Sequence, residues 1–142
     1  MTTPPRLTEH IQAAALGPPE TTGPPGGNFL KPGRPVWRRL YRLAEAFVAF
    51  QGHFPGRPVL PALAQTLLAK DMARALRPEL DLIAAIVSAK FIRLVEPPAE
   101  VAVYAQPPAE GPGPGQWRFQ LAAADPAGGP ETGVALLRLE LR

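Results

Sequence analysis

The chain has 142 residues, 46% of them hydrophobic, and a formal net charge of +3. This length suits one domain with its own core, and the charge is too small to indicate a nucleic-acid partner by itself. The absence of cysteine excludes disulfides, thiolate nucleophiles and cysteine metal sites, and without a long apolar run or a signal-peptide pattern we expect a cytoplasmic protein with no membrane span.

The first 35 residues are dense in proline and glycine, for example in residues 23–27 (GPPGG). Such a composition buries too little apolar surface to offset the entropy lost on ordering. We therefore expect residues 1–35 to form a flexible or extended N-terminal segment, with a short helix around Leu7–Leu16. His10 falls in this segment and is expected to be inert, and the folded domain is expected to span residues 36–142.

A basic strand is predicted at Val36–Leu43 (VWRRLYRL), because tryptophan, tyrosine and valine favour extended structure. Two interpretations of its positive charge are open. The arginines form either a solvated face of the sheet or a docking site for an acidic protein. These arginines are Arg34, Arg38, Arg39 and Arg42.

The strongest predicted helix is Pro61–Arg77 (PALAQTLLAKDMARALR). Proline suits the first position of a helix, strong helix formers follow, and Pro78 ends it. Apolar residues fill one broad arc of its helical wheel, so the helix is expected to be the core element.

Four strands are predicted after the helix, separated by segments rich in glycine and proline. One central helix followed by long antiparallel strands indicates an α+β fold with the sheet wrapped around the helix. The predicted strands are Leu82–Val95, Ala99–Gln106, Gln116–Ala123 and Gly133–Arg142.

The run from Gly52 to Pro61 (GHFPGRPVLP) places His53 in a loop stiffened by prolines, directly before the predicted helix. A histidine is a suitable base near neutral pH. The backbone N–H groups at the start of a helix are able to stabilise a developing enolate oxygen. Together they indicate proton abstraction next to a carbonyl group.

The segment from Phe50 to Pro61 (FQGHFPGRPVLP) resembles the signature of the β-hydroxyacyl–acyl carrier protein dehydratases of the hot-dog fold. This family includes the bacterial fatty-acid dehydratases and the dehydratases of aryl-polyene pathways. A second segment, Ala89–Pro97 (AKFIRLVEP), resembles the basic and aromatic strand of the same family. Gln65 resembles a glutamine of the aryl-polyene branch.

This resemblance implies a role for several residues. His53 would remove the C2 proton of a 3-hydroxyacyl thioester, the backbone N–H of Ala62 would bind the thioester carbonyl, and the Val59 carbonyl would orient the imidazole. Phe54, Leu63 and Leu67 would line a substrate tunnel at a dimer interface. The thioester would arrive on the phosphopantetheine arm of an acidic acyl carrier protein, and the reaction would need no metal or organic cofactor.

The chain departs from the family at Leu67, fourteen residues after His53, where the family has the carboxylate that protonates the leaving hydroxyl. Three interpretations are open. Asp71, one helical turn further on, is a surrogate acid, or it only pairs with Arg74. Alternatively, a partner subunit of a heterodimer, rather than a homodimer, supplies the acid. Finally, the chain is a non-catalytic subunit that binds the acyl chain or carrier protein, or a thioesterase-like relative.

Overall fold

A six-stranded antiparallel sheet and one long helix dominate the computed structural model, which describes residues 6–50 and 58–142. The strand order in the sheet is β1-β2-β4-β5-β6-β3. A short 3₁₀ turn lies at Val48–Phe50. The elements in chain order are α1 (Leu7–Ala14), β1 (Glu20–Thr22), β2 (Val36–Leu43), α2 (Ala62–Leu76), β3 (Ile83–Phe91), β4 (Ala99–Gln106), β5 (Gly115–Ala123) and β6 (Thr132–Leu141).

One face of the sheet, the inner face, packs against α2 and forms the main core. Because side chains alternate along a strand, Trp117, Phe119 and Leu121 of β5 point to this face and are fully buried. Leu68 and Met72 of α2 are fully buried against them. This arrangement confirms the α+β fold predicted from the sequence.

The opposite, outer face carries a second, smaller cluster of buried residues. Leu30, from the segment before β2, packs there with Val36, Ala102 and Tyr104. The N-terminal segment therefore lies across the outer face of the sheet at this point.

Helix α1 packs against α2 and buries Ile11 completely. The amide of Leu16 donates a hydrogen bond of 2.8 Å to the carbonyl of Leu40 on β2. His10 consequently lies on a packed helix, a setting that the composition of the segment did not predict. The boundary at residue 35 stays a prediction.

Strand β3 forms one edge of the sheet, and every residue of it after Ile83 is exposed. Ile86 is 58% exposed and Phe91 is 43% exposed. The strand ends earlier than predicted because the amides of Ile92 and Arg93 both donate to the carbonyl of Val134. The regular hydrogen-bond ladder between β3 and β6 therefore ends at this point. Within residues 6–50 and 58–142, no helix is both long and apolar enough to cross a bilayer.

Candidate active site

The start of α2 presents backbone N–H groups that the helix itself leaves free. Pro61 is the N-cap in an extended conformation, and the first hydrogen bond within the helix runs from the amide of Gln65 to the carbonyl of Pro61. The amides of Ala62, Leu63 and Ala64 precede that bond, so they have no acceptor inside the helix. Together with the helix dipole they favour negative charge at this end.

The chain just before α2 is held firmly in place. Val59 and Leu60 are 4% and 3% exposed, and the amide of Leu60 donates a 2.8 Å hydrogen bond to the carbonyl of Val95. The side-chain amide of Gln65 donates to the carbonyl of Leu60 at 3.2 Å. These contacts tie the start of α2 to the chain that follows β3.

A cavity of about 240 Å³ opens between the start of α2 and the end of β3. Gln65 lines it and is 3% exposed, and its Oε1 atom has no hydrogen-bond partner among the described residues. A buried acceptor without a donor is unfavourable, so this oxygen is suited to receive a hydrogen bond from a bound polar group. The other lining residues are Val59, Leu60, Pro61, Ala62, Phe91, Ile92, Arg93 and Leu94.

Two of the site residues predicted from the sequence, Val59 and Ala62, line this cavity. Leu63 lines a different cavity, together with His10 of α1. Leu67 is half-buried and packs against the main core. Two further residues predicted for this site, His53 and Phe54, lie outside the described residues.

Gln65 and the residues at the end of β3 were not predicted to be site residues, although the resemblance included Gln65 and the segment Ala89–Pro97. Two signals for Gln65 were available, its resemblance to a glutamine of the aryl-polyene branch and its position as a polar residue within the apolar arc of α2. Phe91 and Leu94 gave a weaker signal, because an apolar residue near a strand end is ordinarily explained by packing.

Asp71 lies in a cluster with two residues of β2. Its Oδ2 atom accepts hydrogen bonds from the hydroxyl of Tyr41 at 2.5 Å and from the guanidinium of Arg39 at 3.1 Å. The side chain of Asp71 is 10% exposed. Asp71 is also nine residues beyond Ala62, which is about 14 Å along the helix axis. These contacts favour a structural ion pair, formed with Arg39 instead of the Arg74 pairing considered from the sequence.

This cluster predicts a loss of stability when its carboxylate is removed. Asp71→Asn leaves the Arg39 guanidinium without a counter-charge and should lower the free energy of unfolding by about 1–3 kcal/mol. Urea unfolding measures the change. Asp81→Asn, at an exposed site, is the control and should change it by less than about 0.5 kcal/mol. Equal stability of the two variants would contradict the structural role.

The same cluster makes stability depend on alkaline pH. Burial and the negative charge of Asp71 raise the pKa of the Tyr41 hydroxyl above its ordinary value of 10.0. As the pH rises, the Tyr41 hydroxyl therefore loses its proton at a lower pH in the unfolded chain than in the folded chain. The contribution to stability is fully present below pH 10 and decreases as the pH rises beyond it.

The basic stretch predicted as a docking site is largely neutralised within the fold. Arg38 pairs with Glu131 at 2.6 Å, and Arg42 pairs with Glu100 at 2.8 Å. Burial and the hydrogen bond to Glu131 raise the pKa of Tyr104, which adjoins the first pair. With Arg39 held by Asp71, Arg34 is the one member of the four without a carboxylate partner among residues 6–50 and 58–142.

Comparison with known families identifies the family of this chain. The family model described as ApeI-like, ApeI dehydratase, matches residues 37–128, which is more than half of the chain. The chain belongs to the ApeI-like dehydratase family. The matched range includes the start of α2, the cavity beside it and both segments that carry the resemblance. A search of curated proteins found no significant sequence match.

Solved structures agree on the fold of this ApeI-like chain. An uncharacterized protein from Erwinia carotovora subsp. atroseptica matches with a TM-score of 0.69 and 16% identity, over 91% of this chain and 94% of that one. The dehydratase heterocomplex ApeI:P from Xenorhabdus doucetiae matches with a TM-score of 0.62 and 18% identity, over 79% and 91%. The E. coli PaaI protein matches with a TM-score of 0.53 and 11% identity, over 96% and 86%. The predicted hot-dog fold is confirmed.

Proposed function

We propose that this chain is a subunit of a dehydratase that removes water from a 3-hydroxyacyl thioester on an acyl carrier protein, with His53 as the general base. The observation that carries the proposal is the cavity at the start of α2, where Val59, Ala62 and the buried Gln65 meet free backbone amides. Membership of the ApeI-like family supports it.

The proposed reaction has two steps, and the residues of this chain take part in the first, the removal of the C2 proton. His53 takes the C2 proton, and the electron pair moves into the thioester carbonyl, whose oxygen accepts a hydrogen bond from the Ala62 amide. The enolate then re-forms the carbonyl, a C2–C3 double bond forms, and the C3–O bond breaks. The departing hydroxyl leaves as water after receiving a proton from an acid.

We propose that a second hot-dog subunit supplies this acid. Leucine at position 67 has no proton to give, and the carboxylate of Asp71 is already bound to Arg39 and Tyr41. A heterodimer would join His53 of this chain to a carboxylate of its partner. The similarity to a solved heterocomplex of dehydratases supports this composition.

Turnover measurements test the proposal and its alternatives. The chain is mixed with 3-hydroxyacyl carrier protein, alone and with a hot-dog subunit that has a carboxylate at the position matching Leu67, and formation of the 2-enoyl product is followed. Activity that requires both subunits and His53 supports the proposal. Activity of the chain alone that is lost in Asp71→Asn would favour Asp71 as the acid. Activity of the mixture that is independent of His53 would favour a non-catalytic binding subunit.

The exposed edge strand β3 is the surface proposed for subunit pairing. Its unpaired backbone groups and apolar side chains, such as Ile86, suit association with another strand. Ile86→Lys is expected to weaken dimerisation at least tenfold, which sedimentation equilibrium measures. Leu16→Lys is the control, because Leu16 is also an exposed apolar residue but lies beside β2, away from β3. Unchanged dimerisation in Ile86→Lys would place the interface elsewhere.

Docking of the acidic carrier protein on Arg34, Arg38, Arg39 and Arg42 stays a prediction. For three of the four arginines, docking would exchange an internal carboxylate for one of the carrier protein. Such an exchange of ion pairs gains little energy and is sensitive to salt.

A further inference from the structure

Two arginines face each other on the outer face of the sheet. Arg118 of β5 and Arg138 of β6 are direct partners in the strand register. Like charges in this position of an antiparallel pair destabilise the sheet. On the other side of Arg118, its partner on β4 is the neutral Gln106.

Two further cations are brought to the same place by the N-terminal segment. Gln106, which is 1% exposed, accepts a hydrogen bond from the amide of Lys31 at 2.7 Å and donates one to the carbonyl of Lys31 at 2.8 Å. Arg34 donates to the carbonyl of Pro107, at the end of β4. Gln106 thus fixes Lys31, and the Pro107 carbonyl fixes Arg34, beside the two arginines of the sheet.

The hydrogen bonds of these arginines go to neutral acceptors. Arg138 donates to the side-chain oxygen of Gln116 at 3.0 Å, and Arg118 donates to the carbonyl of Phe29 at 3.4 Å and lies over its ring. Within residues 6–50 and 58–142 no ion pair involves Lys31, Arg34, Arg118 or Arg138. The nearby Arg38 and Arg42, in contrast, each have a carboxylate partner.

The electrostatic effect of this crowding is visible at the residue in the middle. Burial lowers the pKa of the Arg118 guanidinium, and the positive charges of Arg138 and Arg34 lower it further. The protein therefore maintains an unfavourable concentration of positive charge at this position. A bound anion would relieve it.

These cations surround an open cavity of about 450 Å³. This volume lies in the range of small-ligand sites, whereas surfaces that dock proteins are flatter. One carboxylate, the exposed Glu110, also lines the cavity, so the four cations leave a net charge of +3. The other lining residues are Pro108, Ala109, Pro114, Gly115 and Gln116.

We propose that this outer-face basic cavity binds a small anion that carries two or more phosphate groups. Guanidinium groups bind phosphate oxygens in pairs, and three of them converge here with one lysine. The cavity shares no lining residue with the cavity at the start of α2, so the proposal is independent of the proposed dehydration.

Calorimetric titration of the full chain with pyrophosphate at constant ionic strength tests the proposal. We expect saturable binding at one site per chain. Arg138→Gln should weaken it at least tenfold, because the variant keeps the fold and removes one guanidinium. Arg42→Gln, which removes an equal charge from an exposed residue paired with Glu100, should change the affinity less than twofold. Absence of saturable binding, or equal weakening in both variants, would overturn the proposal.

Thermal unfolding provides a second test of Arg138→Gln, because the variant should bind pyrophosphate more weakly but be more stable without it. Removing one of two facing like charges should raise the melting temperature of the ligand-free Arg138→Gln chain by about 1–3 °C and abolish the further rise that pyrophosphate produces in the wild type. A purely structural role of Arg138 would lower the melting temperature. An equal rise with sulfate at the same ionic strength, or displacement of pyrophosphate by a stoichiometric amount of an oligoglutamate peptide, would overturn the proposal in favour of general anion binding or an acidic protein segment.

Discussion

Substitution of His53 by asparagine is expected to lower kcat/KM for a 3-hydroxyacyl thioester by about 10²–10⁴-fold, the usual contribution of a positioned base. Asparagine retains a hydrogen-bonding side chain of similar size, but it does not accept the C2 proton. The assay uses the chain assembled with whichever subunit it needs for turnover, and it follows the 2-enoyl product.

The second histidine of the chain provides the matched control. His10→Asn removes an imidazole of α1, which does not line the cavity formed by Val59, Ala62 and Gln65, and should leave kcat/KM within about twofold. Circular dichroism checks that both variants are folded. Turnover of His53→Asn within threefold of the wild type would contradict the assignment of the base.

Introduction of glutamate at position 67 is expected to create activity in the chain without a partner. Leu67→Glu places a carboxyl group fourteen residues after His53, where the resemblance to the β-hydroxyacyl–acyl carrier protein dehydratases places the acid. We expect turnover about 10²–10⁴-fold above that of Leu67→Gln, which has nearly the same shape but no acidic proton.

Both variants introduce a polar group at a half-buried position that packs against the main core. Each is therefore expected to lower the free energy of unfolding by about 1–3 kcal/mol, which urea unfolding measures. The comparison between them isolates the acid from this common loss of stability. Equal turnover of Leu67→Glu and Leu67→Gln would show that the missing acid does not belong at this position.

The periodic elements of this fold were predictable because each depends on nearby residues. Val36–Leu43 and Ala99–Gln106 have the predicted bounds, and the central helix differs by one residue at each end. The alternation of side chains in a strand and the proline positions around a helix are local signals.

The pairing of charges was not predictable, because it depends on which strands become neighbours. The partners of Arg38 and Arg42 lie 93 and 58 residues away in sequence, and Asp71 meets Arg39 from a different element. The sequence suggested an exposed basic stretch, whereas in the fold three of its four arginines form ion pairs with carboxylates. The outer-face basic cavity instead gathers four cations from three separate parts of the chain, and none of them has a carboxylate partner among the described residues.

The candidate site was predictable in part. The resemblance drew attention to Val59 and Ala62, which do line the cavity at the start of α2. The resemblance included the segment that contains Phe91 and Leu94, but their place in the cavity requires the end of β3 to lie beside α2, which is a long-range contact. The buried, unpartnered oxygen of Gln65 is likewise a property of the packing and not of the sequence.

The open edge at β3 also has a consequence for production of the protein. A strand that exposes Ile86, Val87 and Phe91 beside unpaired backbone groups is a template for non-specific aggregation when its proper neighbour is scarce. If β3 pairs with the proposed second subunit, expression of this chain alone should therefore yield more insoluble material than co-expression with that subunit, which would cover the edge.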